Sequence, residues 1–135
     1  PTPPKPPAPP AAPSYDEAVA ICRRYIQKSF PQGTAAAQNA GVAGAISIKN
    51  PIALGDPSEY VQFNPPMRGT PSIVTYNPSA ANANWRDITA GSDVTVSVDP
   101  ATTISDGGVL IATSGTVATL GDILAIHYLA KSALT

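Results

Sequence analysis

The sequence predicts a mainly β protein, an antiparallel β-sandwich of jelly-roll type preceded by one short α-helix. Three observations carry that prediction. From Gly41 onward apolar residues recur at every second position in short runs. Turn-forming pairs separate those runs at spacings of 8–15 residues. Only the segment 14–30, "SYDEAVAICRRYIQKSF", keeps helical spacing instead.

The elements follow in order. Eight of the first thirteen residues are proline, a density that suits neither helix nor central strand, so 1–13 reads as a stiff extended linker or a strap. The chain starts on Pro1 and not on Met, which suggests the tail end of a longer or processed polypeptide. Ser14 and Glu17 have the spacing of a capping box. Tyr15, Ala18, Val19, Cys22, Tyr25 and Ile26 then fall on one stripe, and the helix should stop near Ser29, ahead of Pro31 and Gly33. The segment 31–135 is left to form the sandwich.

Within it, "AISIK" (45–49), "EYVQF" (59–63), "SIVTY" (72–76), "DVTVSV" (93–98), "GVLIAT" (108–113) and "DILAIHYLA" (122–130) read as strands. Asn50-Pro51, Asn64-Pro65-Pro66, Asn77-Pro78, Asp99-Pro100, Asp106-Gly107-Gly108 and Gly121-Asp122 supply the turns. The interval 77–92, "NPSAANANWRDITAGS", predicts a surface loop with a short strand from Trp85 towards Thr89. The last strand is apolar on both faces, with Leu124, Ile126 and Tyr128 on one and Ile123, Ala125, His127 and Leu129 on the other. Such a strand is either central and covered or lies at a subunit interface. The helical stripe poses the same choice, since a helix this short is marginal in water. It packs on the sheet or on copies of itself.

Composition narrows the function classes. The formal net charge is −1, with +2 over residues 1–35 and −3 over 91–135, and neither end has the dense basic face of a nucleic-acid binder. No apolar run is long enough to span a membrane. A single cysteine excludes an intrachain disulfide, and a single distant histidine makes a metal cluster improbable. No cofactor is expected. His127 lacks the surroundings of a nucleophile elbow and reads as a core or interface histidine. The aspartates beside Pro or Gly read as turn acceptors rather than paired acid and base, so no catalytic residue is assigned and the chain is expected not to be an enzyme. Cys22 reads as a small buried hydrophobe.

The loop 77–92 gives the one binding hint. Trp85, the sole tryptophan, is flanked by Asn82, Asn84, Arg86 and Asp87. An apolar ring with amides and charges around it is what a sugar-binding surface needs; the alternative is that Trp85 pins the loop to the core.

Three blocks of the sequence resemble a known family. "AVAICRRYIQKSFPQG" (18–33) is similar to an "LxxCQRYYxKSYxxG" segment, "YVQFNPPMRGTPSIVTYNP" (60–78) to "Y..V.F..PMR.TPT...Y.P", and "GDILAIHYLAKSAL" (121–134) to "G..L.VHYTADAEL". These blocks occur in that order in distal tail-fibre, tailspike and minor tail proteins of bacteriophages. Arg23 stands where the family has glutamine, Ile26 where it has a second tyrosine, and "YLAKSAL" where it has "YTADAEL". The resemblance implies a non-enzymatic β-rich distal module of a virion appendage, homotrimeric, joined to upstream fibre or virion proteins and meeting a host-surface glycan. It also leaves a purely structural trimerisation or decoration module, or the non-catalytic end of a polysaccharide-degrading tailspike. On this view the helix is a neck. The spacing of 15, 18, 22 and 25 permits a three-helix contact, and Tyr15, Ala18, Cys22, Tyr25, Ile123, His127 and Leu129 are the expected interface residues.

Overall fold

A computed structural model describes residues 2–8, 12, 14–51, 57–98, 103–114 and 120–132. Residues 2–8 of the proline leader are exposed and belong to no regular element; the rest of that leader except Ala12, the Asp99-Pro100 turn and the last three residues lie outside the described part. Among the described residues one helix, α1 (Tyr15–Arg23), precedes nine strands. These are β1 (Ile26–Lys28), β2 (Ile46–Lys49), β3 (Ser58–Gln62), β4 (Ser72–Tyr76), β5 (Trp85–Asp87), β6 (Ser92–Val94), β7 (Val96–Ser97), β8 (Gly108–Thr113) and β9 (Ile123–Lys131). All pair antiparallel, so the predicted mainly β sandwich with one short helix is the observed class.

Strand β9 is the spine of the larger sheet. Its C-terminal half has β1 on one edge and β4 on the other, so that Leu129 sits opposite both Lys28 and Val74. Its N-terminal half has β2 and β5 on its edges, with Ala125 opposite both Ser47 and Arg86, and β6 continues outward from β5. The smaller sheet runs β3-β8-β7. Between the sheets lies one apolar cluster that includes Phe63, Trp85, Val109, Ile111, Leu124 and Ile126. Even-numbered residues of β9 point into it, as the period-2 pattern requires.

Two expectations need correction. The helix ends at Arg23 and not near Ser29, and Ile26–Lys28 becomes a sheet strand, so the sandwich begins before residue 31. Hydrogen bonding explains the change. The open edge of β9 takes the backbone of this stretch, with Ser132 N–H donating to Tyr25 O at 2.7 Å and Ser29 N–H to Tyr128 O at 3.1 Å. The Gln27 amide closes the helix end, donating to Arg23 O at 2.9 Å and to Pro65 O at 2.8 Å. The N-terminal end is as expected: Glu17 N–H donates to Ser14 Oγ at 3.2 Å.

The second correction concerns 93–98, expected as one strand. It divides at Thr95 into β6, in the larger sheet, and β7, in the smaller. Alternation survives the crossing because both sheets line the same core: Val94 is buried and Val96 and Val98 half-buried on the inward side.

Candidate functional site

The expected ligand loop is built from β5, β6 and the residues before them, and its aromatic ring is not on the surface. Trp85 is 0% exposed, belongs to the core cluster, and its Nε1–H donates to Ala112 O at 3.1 Å across to β8. No face of the indole is free to stack on a sugar. This corrects the ligand-binding expectation in favour of the packing one. Asp87 is buried too, and its Oδ1 accepts from Ala90 N–H at 2.9 Å in the turn after β5. Asn84 N–H donates to Asn82 Oδ1 at 3.0 Å, and Asn84 Oδ1 accepts from Val96 N–H at 3.4 Å.

The remaining polar groups of this loop bind one another. Asn77 Nδ2 donates to Asn82 Oδ1 at 3.0 Å and to Asp93 Oδ1 at 2.8 Å; Asn82 Nδ2 donates to Asp93 Oδ2 at 2.9 Å. Arg86 Nη1 completes the set on Asp93 Oδ1 at 3.0 Å. Partial burial pushes the Asp93 carboxyl up, but the hydrogen bonds from Asn82, Asn77 and Arg86, with the Arg86 charge, outweigh it and hold the group below the usual carboxylate range. Asn77, which the sequence offers only as a turn residue, is the hub. It is fully buried, and Asn39 N–H reaches its carbonyl at 2.9 Å, tying the 38–41 segment to the loop.

That segment leads to the histidine. His127 Nε2 faces Gly41 O at 2.8 Å, and since a carbonyl can only accept, Nε2 carries the hydrogen. In the neutral ring Nδ1 is then the acceptor for the Ser29 hydroxyl at 2.8 Å, while Ser29 Oγ accepts from Tyr128 N–H at 2.9 Å. The Phe30 ring stacks on the imidazole at 4.0 Å between centroids. A serine hydroxyl on a histidine nitrogen is the opening geometry of a nucleophile pair. Here the imidazole is 0% exposed under Phe30 and both nitrogens are engaged. The arrangement clamps β1 and the 38–41 segment onto β9. His127 is thus a core histidine, and its assignment to a subunit interface is corrected.

The other candidate surface is the one left open. None of the residues of α1 is buried, Tyr15 is 68% and Ile21 54% exposed, and Cys22 is exposed, against the expectation that it is buried. The stripe of the helix faces a groove of about 760 Å³ whose apolar wall includes Ala18, Val19, Cys22, Ile26 and Leu129. Arg23, Lys28 and Lys131 stand on the same lining, which among the described residues carries no carboxylate. The structure thus brings together Tyr15, Ala18, Cys22 and Leu129 of the expected interface set. It separates the others. Tyr25 is half-buried and turned to Arg68, whose Nη1 donates to its hydroxyl at 3.0 Å and whose guanidinium lies 5.8 Å from the ring centre. Ile123 is exposed at the far end of β9, opposite Lys49.

Among the described residues no three His, Cys, Asp or Glu side chains gather as metal ligands, and no helix is long and apolar enough to cross a membrane. No protein-family model, curated protein or solved structure matches the chain. The function is therefore argued from the groove.

Proposed function

We propose that the chain is a non-enzymatic, self-associating module of a virion appendage such as a phage tail fibre, and that copies join as a homotrimer through the α1 groove. One observation carries the reading: α1 keeps an apolar stripe over an open, apolar-walled groove and buries none of its residues in its own chain. A nine-residue helix is marginal in water without such burial. Covering the stripe with a second copy supplies it. The family resemblance of the three sequence blocks supports the phage assignment and the number three. It also implies attachment to a host glycan, for which the 77–92 loop offers no exposed ring; of the readings carried by the sequence, structural self-association is favoured.

Sedimentation equilibrium of the chain tests this. A species three times the chain mass, dissociating on dilution, is the expected result. A monomer at every concentration overturns the proposal.

A further inference from the structure

Resting on the self-association reading, we propose that the groove of one copy receives the Glu17–Ile21 flank of α1 from the next copy, with Ile21 against the apolar wall and Glu17 among Arg23, Lys28 and Lys131.

Two sets of residues on one chain argue for this, because they are complementary and do not meet within it. Among the described residues the groove carries apolar side chains and three cations with no anion. Among the described residues none of those cations forms an ion pair, and Lys28 Nζ is turned to the Thr34 carbonyl. Glu17 and Ile21 are one helical turn apart, so they share a flank of α1, and neither lines the groove of its own chain. Ile21 is among the most exposed large hydrophobics of the molecule, and Glu17 is exposed with no ion pair among the described residues. An apolar and anionic flank thus matches an apolar and cationic groove. Because the two surfaces differ, the contact is heterologous, and such a contact closes a ring when the rotation between copies is right. That is compatible with three copies. Contact between like surfaces would instead set cation against cation, which opposes association.

The test is sedimentation equilibrium of five versions of the chain, with circular dichroism to confirm that each is folded: the native sequence, Glu17→Gln, Ile21→Ser, and Glu17→Lys with and without Arg23→Glu. Glutamine keeps the side-chain length and the capping position while removing the charge. Glu17→Gln and Ile21→Ser should each weaken association about tenfold, and added salt should weaken the native assembly but not the Glu17→Gln one. Glu17→Lys should dissociate the assembly and Arg23→Glu should restore it. Native association that neither Glu17→Gln nor Ile21→Ser changes overturns this inference and leaves self-association standing. A Glu17→Lys defect that Arg23→Glu does not relieve overturns the charge pairing. A native chain that is monomeric throughout overturns the underlying reading as well.

Discussion

Helix α1 and strand β9 both present more apolar surface than a solvated element should, and the chain treats them differently. Strand β9 has a neighbour on each edge along both halves, a core on its even-numbered face and the Phe30 ring over His127 on the other. Helix α1 has an open groove along its stripe and no buried residue. The difference is one of geometry. A long strand offers two hydrogen-bonding edges and two faces, so later segments of the chain can be recruited to it from several directions. A short helix has its backbone bonds satisfied internally and can gain only from contact along one stripe. The first is largely covered inside one molecule, whereas the second keeps its stripe on an open groove.

The predictions probe that contrast, beginning where the effect is greatest. On the wrapped side, Trp85→Ala should cost about 3–5 kcal/mol, read by urea denaturation, because the indole fills the core and holds Ala112 O. A loss below about 1 kcal/mol would mean that the ring is not packed as described. Next, Ser29→Ala should cost about 1–3 kcal/mol by the same measurement. It leaves His127 Nδ1 and Tyr128 N–H without their common partner and loosens the clamp of β1 on β9. The loop network supplies a pH test. Because the Asp93 carboxyl is depressed in the folded state, its contribution is fully present above the ordinary aspartate value of about 3.9 and is lost as pH falls below it through the folded value. Thermal melts between about pH 5 and about pH 2 should therefore show a steeper acid loss for the native chain than for Asp93→Asn. Equal slopes would remove the network from the account.

The open side gives the smallest effect on folding. Val19→Ser, on the stripe, should change the unfolding free energy of the dilute chain by no more than about 0.5 kcal/mol, since the residue touches a groove and not a core. The same substitution should weaken association. A large loss of monomer stability would place α1 with β9 after all and erase the contrast.

Much of the sheet was legible because its strands obey period 2: the boundaries of β4 and β8 coincide with the runs "SIVTY" and "GVLIAT". The break at Thr95 was not legible, because a strand that changes sheets around one core keeps its alternation intact. The early end of α1 was hidden for a related reason. Tyr25 and Ile26 suit a helical stripe and a sheet edge equally, and the choice was made by β9, about a hundred residues further along. At the candidate site, a lone tryptophan among polar neighbours carries no periodicity that tells inward from outward; only the pairing Trp85↔Val94 places it inside. Asn77 shows the limit of reading turns by type, since its Asn-Pro signature was right and its role as the buried hub of a side-chain network had no local signal. The groove was half legible: the stripe was plain in the sequence, and that no residue of α1 would be buried was not.

Cys22 offers the most direct measurement of that central point, as it is the sole cysteine, is exposed, and lies in the wall of the groove. Its rate of reaction with a small thiol reagent should be followed over a wide range of protein concentration. If copies cover the stripe, the rate falls as concentration rises, in step with the mass measured by sedimentation. A rate that stays the same while the mass increases would contradict the account.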